Sequence, residues 1–133
     1  MRVASFITAL TLALGAVASP IYRRATVTNI QCTDPNTTLD FHTTNVALLQ
    51  ICGGIAGKIQ KCQGAPTSTT GKSGNVQFSL TPTVSGATIN ISKGRWEQGI
   101  KAAFAQCGQG KPFTATIQGG ASQGDIAVKL EKV

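Results

Sequence analysis

Four cysteines, Cys32, Cys52, Cys62 and Cys107, and a single histidine, His42, have the most chemistry to offer in this 133-residue chain. A cysteine serves as nucleophile, metal ligand or half of a disulfide. No Cys-x-x-Cys pair occurs and only one imidazole is present, so the chain lacks the donor spacing of a zinc site, and no cofactor is implied. Acid and base catalysis needs a carboxylate or imidazole pair. The candidates are His42 with Asp40 two residues away and Asp34 nearby, and Glu97 beside Arg95. Each has a plainer use, with Asp34 or Asp40 capping a helix and His42 exposed at the surface. A Gly-x-Ser-x-Gly nucleophile elbow is absent. These residues point away from an enzyme and toward disulfides, provided the chain leaves the reducing cytosol.

The amino terminus supplies that condition. Met1 and Arg2 precede an apolar run from Val3 to Leu14, and Ala16 and Ala18 have the spacing that signal peptidase reads. Residues 1–18 are therefore read as a secretory signal peptide. The run is too short to span a bilayer, which takes about 20 apolar residues. Residues 19–24 end in Arg23 and Arg24, the doublet cleaved by kexin-type endoproteases, and are read as a short propeptide. Residues 25–133 then form a single domain of ordinary size. Nine Lys or Arg face five Asp or Glu in that domain, a net charge of +4. The basic residues are dispersed rather than massed on a stripe with aromatics between them, which argues against a nucleic-acid partner. An even number of cysteines in an exported domain predicts two disulfides. The triplets NTT at Asn36 and NIS at Asn90 are possible N-glycosylation sites.

The elements that would position these residues follow from periodicity. ATVTNIQC reads as a first strand. Val46, Leu49, Cys52, Ile55, Ala56, Ile59 and Cys62 recur at steps of three and four and predict a helical face, with a break possible at Gly53 and Gly54. Residues 63–74 read as a polar loop. NVQFSLT and ATINIS alternate and are joined by PTVSG, which predicts a hairpin. Trp96, Ile100, Ala103, Phe104 and Cys107 share one face of a second helix closed by Gly108. Two more strands run through Phe113–Ile117 and Ile126–Leu130, around a glycine-rich turn. The fold expected is α+β: an antiparallel sheet of four to five strands with both helices on one face, in a ferredoxin-like split β-α-β topology. Trp96, Phe104, Leu49, Ile55 and Ile59 would meet Val76, Phe78, Ile89, Val128 and Leu130 in the core.

Cys32 ending the first strand, Cys62 ending the first helix, and the run ISKGRWEQGIKAAFAQCGQGKPFTATIQGGASQGDIAVKL carry a resemblance. The pattern is similar to small secreted fungal effectors related to the killer toxins of smut fungi, although four cysteines stand where the toxins have more. The resemblance implies a two-helix sandwich, kexin processing, no catalytic activity, and action on a host plant or a competing microbe. It transfers no functional residue. The leading expectation is a non-catalytic interaction protein that binds an extracellular component through its sheet face or loops 63–74 and 118–124. The alternative is an antimicrobial toxin acting on membranes, for which Lys93, Arg95 and Lys101 on the second helix are the support and Glu97 the objection.

Disulfide pairing has two readings. A continuous helix over residues 46–62 would hold Cys52 and Cys62 about 15 Å apart and exclude their bridge. Cys32 with Cys107 suits the split topology but forces that excluded pair. Cys52 with Cys107 and Cys32 with Cys62 requires a bend at Gly53 and Gly54, and is the pairing preferred.

Overall fold

The computed structural model of the chain describes residues 27–55 and 60–133. The signal and propeptide assignments, with Ala18, Arg23 and Arg24, lie outside the described residues, as do Ala56 of the expected helical face and Ile59 of the expected core. Five strands and two helices follow one another: β1 (Val27–Cys32), α1 (Phe41–Gln50), β2 (Thr69–Ser73), β3 (Val76–Pro82), α2 (Lys93–Cys107), β4 (Phe113–Ile117) and β5 (Ile126–Lys132). The strands form one sheet in the order β1-β4-β5-β3-β2, with every pairing antiparallel. The α+β sandwich with both helices on one face is thus the observed architecture.

The four antiparallel pairings make β3 and β4 parallel with β5 between them, so β3-α2-β4 is one split β-α-β unit. The complete ferredoxin-like order is not formed. It would enclose the first strand within the sheet, whereas β1 takes an edge beside β4 and three strands separate it from β2.

Alternation builds the core. Val76, Phe78 and Leu80 of β3, Phe113, Ala115 and Ile117 of β4, and Ile126, Val128 and Leu130 of β5 are buried on one side of the pleat. Trp96 of α2 stands edge-on to Phe78 at 5.4 Å between ring centres, and Phe104 stands edge-on to Phe113 at 5.7 Å. Two glycines let the helices close on this face. A Cβ at Gly71 in β2 would lie 2.0 Å from the carbonyl oxygen of Ala47 in α1. One at Gly99 in α2 would lie 2.6 Å from Ile117 Cδ1 of β4.

Three sequence expectations are corrected. The first helix begins earlier and ends earlier than its periodicity suggested. Asp40 caps it by accepting from the Thr43 N–H, and it stops at Gln50 because Cys52, Gly53 and Gly54 all take positive φ. Its buried face is Thr44 and Ala47, followed by Ile51, so Leu49 is 44% exposed rather than in the core. The carbonyl of Leu48, without an α-helical partner beyond this break, accepts from the Trp96 indole N–H at 3.3 Å.

The second correction concerns the polar stretch 63–74, whose last part is strand β2. Gly74 at φ +55 and Asn75 turn it into β3, with Ser73 opposite Val76. Two-residue loops beginning with glycine at positive φ are natural hairpin turns. The third follows from the second: β3 already has β2 on one side and β5 on the other, so it has no free edge for ATINIS to join. Residues 87–91 instead run extended between two loops, with Ile89 N–H donating to Pro66 O and Asn90 N–H to Gly120 O. Ala87, Ile89 and Ile91 are still buried.

Candidate interaction surfaces

The cysteines are fully paired, as Cys32–Cys107 and Cys52–Cys62. This overturns the preferred pairing. The Cα atoms of Cys52 and Cys62 are 5.2 Å apart, because the chain leaves the helix at Gln50 and the left-handed turn at Cys52 through Gly54 doubles it back. Cys32–Cys107 staples the end of edge strand β1 to the end of α2.

Of the candidate acid–base residues, Asp40, Asp34 and Arg95 each hold a nearby stretch of backbone or side chain. Asp40 accepts from the N–H and the hydroxyl of Thr43, both at 2.9 Å, and these bonds hold its carboxyl below the usual aspartate range. Asp34 accepts from the Thr37 hydroxyl at 2.6 Å and braces the turn after β1. His42 is exposed on the first turn of α1. Arg95 donates to the Gln118 carbonyl at 2.7 Å and pins the start of the 118–124 loop, while Glu97 lies a half-turn further along α2. Among the described residues no three His, Cys, Asp or Glu side chains gather where they could share a metal. Asn36 and Asn90 are both exposed.

The 118–124 loop is tightly held. Asp125 accepts from the Gly119 N–H, and Thr88 and Ser122 exchange two hydrogen bonds. Of the two loops expected as binding elements, one is fastened to the body and the other contains β2.

Among the described residues, the side of the sheet away from the helices is uncovered and polar. The register sets Gln31, Thr114, Lys129, Ser79 and Thr70 in one row across all five strands, with Thr28, Thr116, Ala127 and Thr81 in the next. A shallow depression of about 510 Å³ runs over this face between Asn29, Gln31, Thr114, Ser79 and Lys129. Lys129 pairs with Glu131 at 3.3 Å, so the charge there is partly neutralised. The contributions of β2 to this face were missed in the sequence reading, although the Gly74-Asn75 dipeptide marks its hairpin.

A second surface lies between the helices on their outer side. Phe41, Asn45 and Leu48 of α1 and Glu97, Ile100, Lys101 and Phe104 of α2 line an open trough of about 500 Å³. Phe41, its wall, is 62% exposed. Phe41 escaped the sequence reading because the helix was placed too late in the chain, and Leu48 because the expected apolar face ran through Val46 and Leu49 instead.

No protein-family model matches this chain, and neither the curated proteins nor the solved structures include a match.

Proposed function

We propose that this chain is the precursor of a secreted, non-catalytic interaction protein of the fungal-effector type, acting outside the cell on a component of a host plant or a competing microbe. The observation that carries the reading is the pairing of all four cysteines within a small sandwich whose sheet presents one whole polar face to solvent. Disulfides of this kind persist in oxidising compartments and stabilise domains too small to rely on core burial alone. They agree with the exported precursor inferred from residues 1–24. A rigid sheet bearing side-chain hydroxyls, amides and a lysine is suited to a polar partner, recognised by hydrogen bonds in register with the strands. Cleavage after Arg24 and the killer-toxin-like resemblance belong to the same proposal.

The alternative, direct attack on membranes, has less support. The apolar face of α2, with Trp96, Ile100 and Ala103, is buried against the sheet and unavailable to lipid. Oxidised protein comprising residues 25–133 is applied to leaf tissue and to competing fungal cells, with dye-loaded anionic liposomes in parallel. The proposal predicts a tissue response or growth arrest at concentrations that release no dye. Thr116→Arg on the sheet face should abolish that response and leave thermal unfolding unchanged. Dye release at micromolar protein, with full activity of Thr116→Arg, would transfer the reading to a membrane toxin.

A further inference from the structure

We infer that the trough between α1 and α2 is the contact surface of a symmetric dimer, its occupant a second copy of this chain. Exposed large apolar side chains are few among the described residues, and Phe41, the most exposed of them, forms the wall of this trough beside half-buried Leu48 and Phe104, with buried Ile100 at its floor. Apolar surface gathered in a groove with a polar rim is a usual mark of an association site.

The charges select the occupant. Glu97 and Lys101 lie on the rim, one helical turn or ~6 Å apart along α2. Both are exposed, and among the described residues neither is in an ion pair; Lys129–Glu131 is the pair that forms. A dimer about a two-fold axis must be self-complementary. Two α2 helices crossing antiparallel at this turn would set Glu97 of each copy against Lys101 of the other, two ion pairs from one arrangement. Ligands of single sign fit less well: an acidic amphiphile attracted by Lys101 would meet Glu97, and a basic helix attracted by Glu97 would meet Lys101.

The sheet edges offer a poorer route to pairing. At β2 the outward N–H of Lys72 is taken by the Gln50 side chain at 2.9 Å. At β1 the strand is bulged, with Asn29 at φ +53. A dimer formed through the helices leaves both polar sheet faces free, so one particle would present two copies of the proposed recognition surface.

Sedimentation equilibrium of the oxidised protein comprising residues 25–133, at low salt and from micromolar to millimolar concentration, tests the inference. The expected mass climbs from that of one chain to that of two. Glu97→Lys and Lys101→Glu should each weaken the dimer by about tenfold or more, because each places like charges opposite one another twice. Combining them should restore it, and Phe41→Ser should weaken it again. All three positions are exposed, so matched thermal unfolding confirms that the variants are folded. A mass of one chain throughout, or a double variant no tighter than the singles, would overturn the inference.

Discussion

Gly71 shows what a single methyl group decides. Its absence lets α1 rest on edge strand β2, since a Cβ there would meet the Ala47 carbonyl at 2.0 Å. Gly71→Ala is expected to destabilise the fold by about 1–3 kcal/mol, the usual range for overpacking, and urea titration followed by far-UV circular dichroism would measure it. Asp40 acts at the other end of the same helix. Thr43 holds its carboxyl below the ordinary aspartate value, so the folded state favours the charged form. Its contribution is complete above the unfolded value of about 4 and disappears as pH falls through the lowered folded value. Asp40→Ala should therefore lower the melting temperature more at pH 6 than at pH 2. A deficit of equal size at both pH values would contradict the capping role.

At the scale of elements, what the sequence reveals depends on how local the cause is. The strands β3, β4 and β5 and the helix α2 were legible because each carries its own period: Val76, Phe78 and Leu80 at steps of two, Trp96, Ile100 and Ala103 at steps of three and four. The early end of α1 was less legible, since the run from Val46 to Cys62 keeps helical spacing while Cys52 and the glycine pair turn the backbone out of the helix. That turn is sustained by distant partners, with the Cys52 N–H donating to the Thr69 hydroxyl and the Leu48 carbonyl accepting from Trp96. No inspection of residues 46–62 alone contains those partners. β2 was hidden for a similar reason, because TTGKS has no apolar alternation and is a strand by virtue of its neighbours β3 and α1. Trp96→Phe isolates one of these long-range supports. Leaving the Leu48 carbonyl unpaired is expected to cost about 1–3 kcal/mol in a urea titration, on top of the smaller ring's lost packing.

For the molecule as a whole, the two disulfides differ in reach. Cys32–Cys107 spans 75 positions in sequence and Cys52–Cys62 spans 10. Loop-closure entropy assigns about 4.5 kcal/mol to the first and about 3 kcal/mol to the second. Replacing Cys32 and Cys107 together by serine should thus lower the urea midpoint more than replacing Cys52 and Cys62. The candidate surfaces were only half legible. The cysteine count and the polar face of β3, β4 and β5 could be read along the chain, while the trough joins residues from two helices that only the fold brings together. The central claim, a secreted sandwich closed by two specific disulfides, is tested most directly by peptide mapping of the naturally secreted protein without reduction. The result predicted is an amino terminus at Ala25, no free thiol, and two linked pairs of peptides, Cys32 with Cys107 and Cys52 with Cys62. Free thiols, a Cys52–Cys107 link or a start at Ser19 would contradict it.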